Sequence, residues 1–187
     1  MIKYISGYVE QNIMFLNDSL VVSPELHAAL LLLWASTSYS EFKKDDKTKV
    51  VDLVFTLLKS CIKMLKSVAM QPTDVLLSQP YLHVAEVLLI IYKILGSMVE
   101  FPAIKKEHIP YLQEATEFLM TLPIPASNEN KLEDNKVKLY SEFDIGHWIS
   151  STFDRKAVEE KLWWRVKNNI VRFLSTWGGY IGCHGDK

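Results

Sequence analysis

Apolar side chains recur every three or four positions through six separate stretches of the chain, and this spacing predicts α-helices. Glycine and proline are sparse, at 7 residues each, which favours long helices over many short strands and turns. We therefore predict an all-α fold with essentially no β-sheet. The predicted helices span about 2–16, 24–39, 50–70, 80–99, 107–121 and 155–177.

Two of these helices have readable ends. Ser23 can cap the second helix, Pro24 suits its first position, and Glu25 favours the positive end of its dipole. Gly178 and Gly179 follow the last helix, where glycine commonly adopts the left-handed conformation that ends a helix. We predict that the last helix ends at this glycine pair.

The fourth predicted helix is apolar around most of its circumference. Leu88 lies on its main stripe, and Leu89, Ile90 and Tyr92 extend the apolar surface. A helix of this kind needs neighbours on two sides. We expect it to be the central buried element.

Polar stretches separate the helices. Residues 41–49 form a predicted loop, and about 126–144 form a long polar linker before the last helix. The six helices, taken in antiparallel pairs of roughly 40 residues, match the period of paired-helix repeats. We predict a single all-helical domain over 1–187, stacked as a short α-solenoid of the HEAT or armadillo type. A compact helical bundle would give the same pattern.

Composition and charge exclude several classes of protein. The chain has 187 residues, 49% of them apolar, and a net charge of −1, so no global field draws it onto nucleic acid or an anionic membrane. Two cysteines do not make a disulfide framework, which indicates a reducing compartment, the cytoplasm or nucleus. The longest apolar run carries His83, Glu86 and Lys93, so we expect a core helix and no membrane contact.

The last predicted helix is the best candidate for binding. Its basic residues outnumber its acidic ones, and it carries three tryptophans. We expect a protein partner with an acidic segment to bind at Trp164, Arg165, Lys167 and Arg172. Trp163 and the later Trp177 lie on the apolar stripe and are expected in the core, whereas Trp164 is offset from it. A solvated basic face is the alternative.

No pattern in the sequence indicates catalysis. His83 and Glu86 share a helix face, but a metal site would need a second such pair. Cys61 lies on an apolar stripe and is most simply a core residue. Cys183 and His184 are adjacent, whereas catalytic pairs meet through the fold. We predict a chain that is not an enzyme and needs no metal or cofactor.

Two stretches resemble a known family. The sequence EKLWWRVK at 160–167, followed by IVRFL at 170–174 and Gly-Tyr-Ile-Gly at 179–182, resembles a helix of the importin-β superfamily of nuclear transport receptors. The run EVLLIIYKIL at 86–95 is similar to the helix that this family places one repeat earlier. The order of helix, helix, polar linker and Trp-Trp helix is shared.

This resemblance covers about the second half of the chain. It implies HEAT-like repeats and a protein-binding scaffold, as a fragment or shortened relative of a nuclear transport receptor. Whole receptors of the family are several times longer, and no GTPase-contact residue can be carried over. The alternative function is a helical-bundle regulator that takes a partner's amphipathic helix into an apolar groove.

Overall fold

The computed structural model describes residues 2–18, 23–37, 44–98, 104–124 and 155–184. Within these residues the fold is all-helical and contains no strand, which confirms the predicted fold class. The predicted linker at about 126–144 lies outside the described residues. The six helices are α1 (Ile2–Asp18), α2 (Pro24–Thr37), α3 (Lys44–Lys66), α4 (Gln79–Met98), α5 (Ile109–Thr121) and α6 (Arg155–His184).

The predicted start of α2 is confirmed. The Leu26 backbone N–H donates to the Ser23 hydroxyl oxygen over 3.1 Å, and the His27 N–H donates to the Ser23 carbonyl over 3.0 Å. The first bond satisfies an amide group that has no partner within the first helical turn, and the second is the first i→i−4 bond of the helix. Ser23 is thus the residue that begins the helix.

Two predicted boundaries are wrong. Helix α3 begins at Lys44, within the predicted loop, so residues 44–49 extend the amphipathic helix. Helix α6 continues through Gly178 and Gly179 to His184, and no described glycine has a positive φ. Extending a formed helix through a glycine costs only about 1 kcal/mol relative to alanine, so the pair does not have to end it.

Short 3₁₀ turns connect the helices at two places. One spans Thr73–Leu77 between α3 and α4, and the other spans Lys106–His108 before α5. The first turn packs against α4 and buries Leu76 in the core. It has only five residues, too few for a helical period to reveal it in the sequence.

Helix α4 is the central buried element, as predicted. It packs against α2, α3, α6 and the first 3₁₀ turn. Its side chains Val84, Leu88, Ile91 and Leu95 are fully buried. Its segment Pro80–Met98 is long and apolar enough to cross a membrane by length and composition, but the core helix of a folded domain meets the same criteria, and 72% of the segment is buried here.

The remaining helices complete the packing around α4. Helix α1 packs against α2 and α3, and α5 packs against α6. Side chains also join α3 to α5 and its preceding turn: Lys66 pairs with Glu114 at 2.8 Å, and the rings of Phe55 and His108 stack at 4.3 Å. Each helix therefore buries its apolar face against at least one other helix.

Candidate functional site

Helix α6 presents one face to the core and the opposite face to solvent. The buried side chains follow the three- and four-residue spacing of a helix, so they form one stripe facing α4 and α5. They are Leu162, Trp163, Val166, Ile170 and Phe173. This burial fixes which α6 side chains remain free to contact a partner.

Trp163 anchors α6 to a distant part of the chain. Its indole Nε1–H donates a buried hydrogen bond to the Leu76 carbonyl over 2.9 Å. That carbonyl belongs to the first 3₁₀ turn, which packs against α4. Burial of Trp163 confirms its predicted place in the core, and the bond fixes the rotation of α6 about its axis.

Trp177 was expected in the core, but it is only partly buried and contacts the core from its edge through aromatic rings. Trp177 stacks on Phe173 at 5.5 Å between centroids, and Phe173 meets Tyr92 of α4 edge-on at 5.7 Å. The Tyr92 hydroxyl shares a 2.9 Å hydrogen bond with Thr116 of α5. Trp177 is partly buried at the edge of this cluster, which joins α4, α5 and α6.

Lys167 does not lie on the free basic face that the sequence suggested. Its Nζ donates to the Met120 carbonyl over 2.8 Å and to the Leu122 carbonyl over 2.7 Å. Carbonyls at the carboxyl end of a helix lack partners within the helix, so Lys167 caps α5. Burial lowers the pKa of Lys167. The side chain holds α5 against α6.

Arg165 and Arg172 lie elsewhere on α6, exposed to solvent, and meet a lysine that the sequence did not assign to the site. Burial lowers the pKa of Lys93 on α4, and the charges of Arg165 and Arg172 lower it further. The Lys93 ammonium lies 4.3 Å from the centroid of the Trp34 ring of α2. Lys93, Arg165 and Arg172 together are called the cationic patch below.

No carboxylate in the described part of the chain forms an ion pair with the cationic patch. There, the ion pairs involve Lys66, Lys105 and His108, and none involves a member of the patch. Three uncompensated positive charges repel one another and attract an anion. The Trp34 ring beside Lys93 adds an aromatic surface.

Trp164 is the exposed tryptophan of α6, as predicted, with half of its surface accessible to solvent. It neighbours Arg165 in sequence, but successive helical side chains point about 100° apart. On a helical projection, Trp164 shares a side with Val171, whereas Arg165 shares a side with Arg172. The four residues predicted to bind therefore divide between two sides of α6, with Trp164 and Lys167 on one and Arg165 and Arg172 on the other.

The sequence contained one signal for Lys93. A lysine within an otherwise apolar helix must bring its ammonium group to solvent or to a charged partner. In the sequence, Lys93 interrupts an apolar run and carries no further sign of a partner. Its proximity to Arg165 and Arg172 depends on how α4 packs against α6, which helical periodicity does not reveal.

The other candidate groups do not assemble a catalytic centre in the described residues. Burial raises the pKa of the Cys61 thiol to about 12, so it stays protonated. His83 and His108 each have a buried Nδ1 without a hydrogen-bond partner. No three metal-ligating side chains come together among the residues described. The side chains of Cys183 and His184 lie outside the description.

Comparison with known proteins gives no relative. No protein-family model, no curated protein and no solved structure matches this chain.

Proposed function

We propose that this chain is a protein-binding scaffold built from three stacked helix pairs, α1–α2, α3–α4 and α5–α6, in the manner of a short α-solenoid. Helices of each pair contact one another, α1 contacts α3, and α2, α4 and α6 contact in succession. This succession supports two rows of helices. Within the described residues, α1 and α2 make no comparable contact with α5 or α6, as closure into a bundle would require.

The resemblance of α4 and α6 to importin-β superfamily helices supports the same arrangement. Repeat proteins of this kind use extended surfaces to bind other proteins. We therefore place the chain among binding proteins of the cytoplasm or nucleus, as a fragment or shortened relative of a transport receptor. Binding, with no catalytic step, is its proposed activity.

The occupant that fits the cationic patch is an acidic segment of another protein. The observation that carries this proposal is that Lys93, which lies over the Trp34 ring, is near enough to Arg165 and Arg172 across the α4–α6 contact for their charges to lower its pKa, while none of the three has an ion-pair partner among the described residues. Guanidinium groups bind carboxylates through paired hydrogen bonds. The patch is small and the net charge is −1, which favours a short acidic segment over a nucleic acid backbone.

Charge reversal tests the acidic partner. A fluorescent peptide rich in Glu and Asp is titrated with the full chain at low and physiological salt. Arg165→Glu with Arg172→Glu should lower the affinity at least tenfold, because the patch becomes negative, and should remove the salt dependence. The matched control, Lys63→Glu with Lys106→Glu, makes the same change in charge at exposed lysines of α3 and the turn before α5.

Two results would count against this function. Equal loss in both double variants would show a general charge effect. Unchanged binding in the Arg165 and Arg172 variant, with its circular dichroism intact, would show that the patch is only a solvated surface. Small-angle X-ray scattering tests the architecture separately, since stacked pairs give an elongated profile and a bundle gives a compact one.

A further inference from the structure

Exposed apolar side chains are concentrated at the two ends of the proposed stack. The helices α3 and α4 of the middle pair have no large exposed apolar side chain among those described; Met70, in the connection between them, is fully exposed but stands alone. The first pair exposes Tyr4, Tyr8, Leu31 and Leu32, and the last pair exposes Met120, Trp164, Val171 and Leu174. Helices with neighbours on both sides are covered, whereas the outer helices keep free apolar surface.

The free face of α6 carries an apolar stripe. Trp164, Val171 and Leu174 are 50%, 49% and 39% exposed, and they lie near one another on one side of the helix. Exposed apolar groups in such a cluster mark a surface that another chain covers. Their side differs from the one that carries Arg165 and Arg172.

The first pair offers an apolar surface of its own. Tyr4 of α1 is 86% exposed and Leu32 of α2 is 57% exposed. Helix α2 also stands at one end of the row formed by α2, α4 and α6. An α2 placed against the free face of α6 would continue that row.

The two ends also differ in charge. The described side chains of α1 and α2 include the acidic Glu10 and Glu25 and no lysine or arginine. On α6, the described charged side chains nearest the stripe are Lys161, three residues before Trp164, and Lys167, four residues before Val171, and no described side chain of α6 is a carboxylate. Opposite charges around two apolar surfaces favour contact between unlike ends and disfavour contact between like ends.

From these observations we infer that the occupant of the α6 stripe is the α1–α2 end of a second copy of this chain. The inference rests on the two-row stack of the proposed function, and it concerns a surface separate from the cationic patch. Because the contact joins two different surfaces, the growing assembly always keeps one free α6 stripe and one free α1–α2 end. Copies therefore associate head to tail in a concentration-dependent series.

Single substitutions at each end test this inference by sedimentation equilibrium over a range of protein concentrations. Val171→Glu blocks the α6 end, and Leu32→Glu blocks the α2 end. Thr56→Glu, at an exposed position of α3, adds the same charge away from both ends and serves as the control. Wild type and the control should form dimers and larger species, and each end variant alone should associate at least about tenfold more weakly.

The decisive measurement mixes the two end variants. Each retains the end that the other has lost, so an equal mixture should form a heterodimer and nothing larger. Dimers of Leu32→Glu alone would show a symmetric α6 contact and overturn the inference, as would a wild type that stays monomeric at all concentrations. Association of both end variants at wild-type strength would also overturn it.

The outcome is separable from that of the proposed function. Acidic-peptide binding is measured on the Val171→Glu protein, since Val171 lies outside the cationic patch. Peptide binding without self-association would overturn the head-to-tail contact alone. Self-association without peptide binding would overturn the acidic partner alone.

Discussion

Cys61 and Tyr92 are buried in the core, and burial raises the pKa of each side chain above its value in water. Burial raises the pKa of Cys61 from 9.0 to about 12, and burial raises that of Tyr92 from 10.0 to about 12 despite its hydrogen bond to Thr116. Between the unfolded and folded pKa values, the folded chain binds more protons than the unfolded chain. Stability therefore falls as pH rises through that interval.

Replacement of Cys61 by alanine should change the alkaline profile. In the wild type the free energy of unfolding should begin to fall near pH 9, at a limiting slope of about 1.4 kcal/mol per pH unit from the thiol. In Cys61→Ala the fall should begin near pH 10, where Tyr92 and Tyr111, whose pKa values burial raises in the folded chain, begin to ionise in the unfolded chain. Urea unfolding from pH 7 to 11 measures both profiles, and an identical slope between pH 9 and 10 would contradict the prediction.

The comparison between the two proteins isolates the thiol. Lys93 and Lys167 have lowered pKa values in the folded chain, so their contribution has the opposite sign and raises stability as pH increases. Both lysines are present in wild type and variant. Their effect cancels when the two profiles are subtracted.

At the scale of the helices, α6 shows that a sequence pattern typical of a helix end does not always end the helix. The glycine pair at Gly178 and Gly179 is typical of a helix end, yet α6 passes through it. No described glycine has the left-handed φ that a cap requires. A Cβ built at Gly178 would meet nothing within 4 Å.

Gly178→Ala should therefore stabilise the protein. Alanine is favoured over glycine inside a helix by about 0.8–1 kcal/mol, and here no contact opposes it. Thermal and urea unfolding measure the gain. Ser175→Ala, at another exposed position of the same helix, is the control and should change stability by a smaller amount. A loss of stability at Gly178→Ala would indicate a left-handed cap and a shorter α6.

At the scale of the whole molecule, α4 joins the other helices. It contacts α2, α3 and α6 directly and reaches α5 through the bond between Tyr92 and Thr116. Leu88 is fully buried within this centre. A cavity at Leu88 would therefore weaken packing contacts of all three helix pairs.

Leu88→Ala should lower the free energy of unfolding by about 2–5 kcal/mol through lost burial and the cavity that remains. Circular dichroism and tryptophan fluorescence should shift together, because the pairs share one core. Met70→Ala, at a fully exposed position between α3 and α4, is the control and should cost well under 1 kcal/mol. A similar small change at Leu88 would contradict the central position of α4.

The sequence by itself determined most of the local structure. Helical periodicity located the six helices of the described residues, identified α4 as the central one and placed Trp163 on the inner side of α6 with Trp164 outside. These features depend on the spacing of apolar residues along one segment. A fixed number of residues per turn converts that spacing directly into a buried side.

Only the tertiary structure decided which polar side chains meet. Lys93 joins Arg165 and Arg172 because α4 packs against α6, and Lys167 caps α5 because α5 ends beside it. From the sequence we predicted that Lys167 and the two arginines belong to one binding site, since all three are basic residues of the same helix. Helical periodicity indicates which side of a helix is buried. Which helix packs against that side, and how that helix is turned about its own axis, depend on packing across the whole chain.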